Sequence, residues 1–168
     1  MTFVSTSHII FGMKMFLDEI ISFLISMVPV IELRGGLIFA AARGVPFLAA
    51  FPICLIGNLL PLPFVLIFLK RVFNFLSRFK YTKRFVLALE ARARKKGGKL
   101  DKYKFVGLYI FVAIPLPGTG GWTGTLIASV LDLPTKKAFI AIALGVLTAG
   151  IIMSILSFLI PGLFFQER

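Results

Sequence analysis

Three stretches of this chain contain no Asp, Glu, Lys or Arg: Val45–Leu69, Phe105–Leu131 and Ala138–Gln166. Each exceeds the roughly 20 residues that a helix needs to cross the hydrocarbon core of a bilayer. A water-facing helix of that length needs a polar side, and none of the three has one. Nor do they alternate apolar and polar residues, as the strands of a membrane barrel do. Charged residues make up 15% of the chain and the mean hydropathy is +0.97, whereas a soluble domain carries about 25% charge. The expectation is an all-α polytopic membrane protein, with residues 1–168 forming a single membrane domain.

The charge that exists is concentrated. Residues 70–104 carry 13 Lys or Arg against Glu90 and Asp101, a net +11 of the formal +12. A nucleic-acid patch leaves such a footprint, but this is a short linker with both ends at the bilayer. The positive-inside bias therefore makes it a cytoplasmic loop, able to attract anionic lipid headgroups. Within it, residues 75–96 read as a surface helix with Phe75, Phe79, Phe85, Val86 and Leu89 toward the membrane, stopped by Gly97-Gly98. The start of the chain lacks the basic region and small-residue cleavage site of a signal peptide, so insertion is expected to use an uncleaved segment. Cys54 is the one cysteine. It forms no intrachain disulfide and reads as a small buried hydrophobe.

The two halves match at an offset of 88 residues. Pro29, Gly36, Pro46 and Gly57 recur as Pro117, Gly124, Pro134 and Gly145, and Phe23 and Phe51 recur as Phe111 and Phe139. Repeat unit one covers 17–69 and repeat unit two covers 105–160. Each has a first apolar segment broken by Pro and Gly, then a short turn, then a long helix. The breaks are "PVIELRGG" at 29–36 and "PLPGTGGWTG" at 115–124. Proline removes a donor and clashes with the preceding turn, so a re-entrant or broken helical hairpin is expected in each repeat, followed by a transmembrane helix. If the second hairpin dips in and returns, Lys136 and Lys137 stay on the side of the basic linker, as the bias requires. The repeats are then inverted, with the turn near Arg43 outside. The first residues, up to Asp18–Glu19, lie outside or at the interface.

An ionisable residue at membrane depth is costly and calls for a partner. Glu32 and Arg34 sit in the first break, between Pro29 and Gly35-Gly36. Two residues apart, they share a side only if the backbone is extended there. Three readings follow: a structural ion pair, an interfacial snorkelling pair, or a substrate and proton site. In the last, Arg34 binds an anion and Glu32 exchanges a proton. The second break offers the hydroxyls of Thr119 and Thr123, the Trp122 indole, and backbone amides around Gly118, Gly120, Gly121 and Gly124, between Pro115, Pro117 and the next helix. Exposed amides of this kind can line an anion site, although close helix approach equally explains the glycines. No Walker lysine follows. Asn58 is polar at membrane depth, beside a kink expected at Pro61 and Pro63. It serves either a helix interface or a ligand. Asp132 and Arg43 read as turn caps or local ion partners, Asp132 beside Lys136 and Lys137. Gly145, Ala149, Gly150 and Ser154 read as a packed stripe. No metal site is expected, since His8 is the one histidine.

Soluble-enzyme chemistry finds no support: HExxH, GxSxG and glycosidase-like carboxylate pairs do not occur. Not an enzyme, and no cofactor, is the expectation.

The stretches "PVIELRGG" at 29–36, "VAIPLPGTGGWTGTLIASVL" at 112–131 and "ALGVLTAGIIMSIL" at 143–156 resemble the small multidrug export proteins, small prokaryotic membrane proteins distantly similar to the DedA/VTT superfamily. The resemblance covers roughly 20–160. It implies an inner-membrane, multi-pass protein with paired re-entrant hairpins and a transport role. DedA-like relatives use membrane-embedded acidic and arginine residues for lipid-linked phosphate transport and proton coupling. Glu32 and Arg34 are the residues that carry over. The proline expected shortly after the Arg-Gly is missing from "RGGLIFAAARG".

The sequence therefore suggests a small secondary transporter, proton-coupled, that moves an anionic or amphiphilic (lipid-like or drug-like) substrate through a central site between two hairpins. The alternatives are a non-transporting interaction or stability protein with Glu32–Arg34 as a structural ion pair, and a membrane-embedded lipid-modifying enzyme. Expected partners are membrane lipids, with anionic headgroups at 70–104, and a second copy in a homodimer, but no nucleic acid.

Overall fold

Proline and glycine mark several of the helix boundaries. The computed structural model of the chain describes residues 2–76, 101–116 and 118–159. The surface helix expected over 75–96, its Gly97-Gly98 stop and Pro117 lie outside the described residues, apart from the first two positions of that helix. Helix α1 (Thr2–Met27) runs unbroken until just before Pro29, so the helix starts well upstream of the boundary expected near residue 17. Helices α2 (Glu32–Ala42), α3 (Phe47–Leu59), α4 (Leu62–Leu76), α5 (Asp101–Ala113), α6 (Gly121–Val130) and α7 (Thr135–Ser154) follow, and α7 runs into a π-helical turn at Ile155–Leu159. The described residues are all-helical and contain no strand.

Two segments, Phe47–Phe73 and Thr135–Phe158, are long and apolar enough to cross a membrane. The first is interrupted at Leu60–Pro61, between α3 and α4, where Pro61 has no N–H to continue the helical ladder. The charge-free stretch Phe105–Leu131 is not one helix. Helix α5 stops at Ala113, close to Pro115, and the helix restarts at Gly121.

The turns after α2 and α6 are the same turn, 88 residues apart. Arg43 N–H donates to Phe39 O, Gly44 to Ala41 O and Val45 to Ala40 O. Their counterparts run from Leu131 to Ile127 O, Asp132 to Ser129 O and Leu133 to Ala128 O, all at 2.9–3.2 Å. The left-handed residue is Gly44 (φ 75°) in one and Asp132 (φ 46°) in the other. This is the Schellman geometry, in which the paired amides satisfy the last carbonyls of the helix. The apolar contact that usually accompanies it is present as well, since Val45 and Ala40 are buried together. A proline then opens the next helix, and the Ala50 and Ala138 amides return to the Pro46 and Pro134 carbonyls at 2.9 Å.

The fold divides into two compact units: Met1–Leu60 with Gly150–Arg168, and Pro61–Ala149. In the first, Leu33, Leu37 and Cys54 form a core with Phe51, Leu55, Met153 and Phe158 packed against it. In the second, Leu62, Leu66, Leu108, Val112, Ile142 and Val146 are buried. Gly36 and Gly124, also 88 apart, occupy matching positions. A Cβ on Gly36 would press on Ser22 O of α1 at 2.9 Å and Cys54 Sγ of α3 at 3.1 Å. One on Gly124 would press on Val112 of α5 at 2.6 Å and Ile142 of α7 at 3.5 Å. Ile142 stands 88 residues after Cys54.

Polarity is distributed inside-out relative to a water-soluble domain. Phe11, Phe16, Leu48, Phe64, Phe68 and Ile140 are exposed, while Asp18, Ser22, Ser26, Glu32, Asn58, Thr125 and Ser129 are buried. The buried hydroxyls find partners without water. Ser22 and Ser26 donate to Asp18 O and Ser22 O, and Thr125 and Ser129 donate to Gly121 O and Thr125 O, at 2.7–2.8 Å. This is the i−4 back-bonding open to Ser and Thr within a helix.

Candidate functional site

The first break begins upstream of the two charges. Residues Val28–Ile31 leave the helix and Glu32 restarts it as the first residue of α2. Proline bars the helical course for the residue before it, so the unwinding falls on 28–31 and not on Glu32–Arg34, where direct side-by-side pairing would have needed an extended backbone. Val30 (φ 76°) and Glu32 (φ 55°) are both left-handed. For a β-branched residue this is a genuine outlier, and such strain clusters at binding and switch sites.

Pro29, Val30 and Ile31 are exposed, but Glu32 turns inward and is only 6% exposed. Arg34 is half-buried two residues along, within electrostatic reach of the Glu32 carboxylate. Leu33 points into the core at 1% exposure. The Glu32 carboxylate also sits at the positive end of the α2 dipole. Gly35 is half-buried behind Arg34, and Gly36 holds the close contact with α1 described above. Asn58, near the end of α3 in the same unit, is 1% exposed, and its Oδ1 has no hydrogen-bond partner among the described residues. A buried carbonyl left in that state costs about 1–3 kcal/mol.

The second break, Ile114–Gly120, is built differently. Gly118 is left-handed (φ 81°). The Thr119 hydroxyl lies 2.7 Å from Ile114 O and 2.9 Å from Leu116 O, and accepts the Leu116 N–H at 3.3 Å. Its geometry is that of a staple holding together the backbone of the break just past α5. Gly120 accepts the Gly124 amide at 2.8 Å, and Gly121 packs α6 onto Leu62. Trp122 and Thr123 are half-buried in the first turn of α6.

Thus the structure holds Glu32, Arg34 and Asn58 within the first unit, and Pro115, Gly118, Thr119, Gly120, Gly121, Trp122, Thr123 and Gly124 within the second.

Two ion pairs fix the Schellman turns, and sequence reading missed both partners. Arg43 Nε meets the buried Asp18 carboxylate of α1 at 2.8 Å. Asp132 pairs with Lys70 of α4 at 3.2 Å, not with Lys136 or Lys137, and Lys70 also donates to the Leu133 carbonyl. In the sequence Arg43 had no named partner, and Asp132 had only its neighbours Lys136 and Lys137 as candidates. The only signal was an opposite charge on another helix of the same unit.

No curated protein and no solved structure matches the chain. A family model described as "Putative small multi-drug export protein" matches residues 32–152, from the buried glutamate of the first break to the last turns of α7, and the chain belongs to that family.

Proposed function

We propose that the chain is a multi-pass membrane exporter. It carries an anionic or amphiphilic solute past the first helix break, where Arg34 binds the anionic group and Glu32 takes up and releases a proton. One observation carries this reading: a buried carboxylate held at a left-handed residue, where a broken helix restarts, beside a half-buried cation. Discontinuous helices form the substrate and ion sites of many secondary transporters. The family description, which names export, supports the direction of movement. The unpartnered Asn58 Oδ1 adds an acceptor for a solute donor.

Helix lengths support re-entrance. At 1.5 Å per residue, the 11 residues of α2 and the 10 of α6 reach about 15 Å, half of a hydrocarbon core about 30 Å thick. The segments Asp18–Met27 and Lys104–Ala113 that run to the two breaks are about as long. Each hairpin therefore reaches the bilayer midplane with a salt-bridged or basic residue at its mouth. The matching turns support an internal repeat. The basic linker supports a cytoplasmic position for 70–104, opposite membrane orientations for the repeats, and the inner membrane of a prokaryote as location. No catalytic step is assigned.

The test is movement of carboxyfluorescein and of NBD-labelled phosphatidylglycerol in proteoliposomes, with and without a pH gradient. The wild-type chain should move one of them in a gradient-dependent way. Glu32→Gln should lose at least tenfold of that rate, and Arg34→Gln should lose movement with or without the gradient. Equal rates in wild type and Glu32→Gln would remove Glu32 from coupling. No movement by the folded wild-type protein contradicts the proposal for these probes.

A further inference from the structure

Helices α5 and α7 touch closely and then part. At the contact, a Cβ on Gly145 would sit 2.9 Å from the Tyr109 carbonyl and 2.7 Å from Val112. Toward the start of α7 the helices diverge and leave an open cleft of about 400 Å³, lined by Phe105 and Tyr109 on one side and Lys137, Ile140, Ala141 and Leu144 on the other. Its size is that of a small-ligand site. The wall is apolar except at one end, where Lys137 stands exposed. At the other end the Tyr109 hydroxyl is 3.1 Å from Thr148 Oγ1, which donates to Leu144 O. Ile140 and Leu144, 58% and 50% exposed, carry the apolar surface outward.

Two features make the Lys137 end fit an anion. Lysines in the first turn of a helix oppose its dipole, so Lys136 and Lys137 do not stabilise α7 by being there. The first-turn amides also lack intrahelical partners. The nearby acid, Asp132, is already paired with Lys70.

From this geometry we infer that the α5–α7 cleft is a binding site for an anionic phospholipid of the bilayer, with an acyl chain along Phe105, Ile140, Ala141 and Leu144 and the phosphodiester at Lys137. Basic side chains at the cytoplasmic end of intramembrane clefts recognise headgroups in this way. The site goes beyond the export reading and rests on the proposed topology only in placing the Lys137 end at a headgroup layer. Failure of the Glu32→Gln assay therefore leaves it untouched.

The test is native mass spectrometry of the full chain in detergent, titrated with dioleoyl phosphatidylglycerol or dioleoyl phosphatidylcholine. The wild type should retain one phosphatidylglycerol in preference to phosphatidylcholine. Lys137→Gln should lower that retention about fivefold, and Lys136→Gln, which changes the same charge off the cleft, less than twofold. Ala141→Leu, which narrows the cleft, should weaken both lipids. Where this variant fails to fold, the lysine pair alone decides. Equal loss in the two lysine variants would mean a diffuse basic surface and overturn the site, as would unchanged retention in Lys137→Gln. A dimer that Ala141→Leu dissociates would give the cleft to a second copy instead.

Discussion

Val30 is an exposed β-branched residue in the left-handed region, at φ 76° and 86% exposed. A conformation of this kind costs on the order of 1–3 kcal/mol, and so exposed a side chain recovers little of that by packing. Val30→Gly should therefore raise stability by about 1 kcal/mol, read as a higher unfolding temperature in detergent. If the break serves transport, the same variant should also lower the transport rate, because the entry to Glu32 becomes flexible. No change in unfolding temperature would mean that the backbone relaxes without cost. At this scale the sequence was informative where chemistry is rare. Glu32 and Arg34 stood out as charges beside a proline in apolar surroundings, and both are at least half-buried. Their pairing geometry was not legible, because the exclusion that proline imposes acts upstream and the helix resumes at Glu32, itself left-handed. Asp18 and Lys70 were not legible as turn partners either. Their partners lie 25 and 62 residues away, and no local pattern records a contact over that separation. Thr119 read as a ligand hydroxyl, and the sequence carried no signal that its hydroxyl lies against the Ile114 and Leu116 carbonyls of the break.

At the scale of elements, the matching Schellman turns differ at the left-handed position, Gly44 against Asp132. Nothing lies within 4 Å of a Cβ placed on Gly44, so Gly44→Ala should cost only the left-handed penalty, about 1 kcal/mol, measured by thermal unfolding. Asp132→Gly should be close to neutral, within about 1 kcal/mol, because relief of the same penalty offsets loss of the pair that the exposed Asp132 carboxylate makes with Lys70. A large loss in Asp132→Gly would show that Lys70 depends on the carboxylate and not on the Leu133 carbonyl. Helix boundaries near Pro29, Pro46, Pro61 and Pro115 were readable because proline acts locally. The 88-residue register was readable because glycine and proline landmarks mark positions where a backbone turns or a helix approaches closely. The long α1 was less so: residues 2–17 carry no proline, the helix runs through Gly12 without a break, and nothing in them fixed where it begins.

For the molecule as a whole, the apolar exterior, the buried hydroxyls and the family all point to a membrane location. In the topology proposed above, residues 104–131 enter the bilayer and return to the same side, with the basic linker and the α6–α7 turn on that side and the α2–α3 turn on the other. The most direct measurement is labelling of single cysteines by a membrane-impermeant maleimide in intact and permeabilised cells, in a Cys54→Ser background. Lys96→Cys and Lys136→Cys should label only after permeabilisation, and Gly44→Cys should label in intact cells. Labelling of Lys136→Cys in intact cells, with Lys96→Cys still protected, would mean that 105–131 crosses the bilayer completely, and the hairpin account would fail.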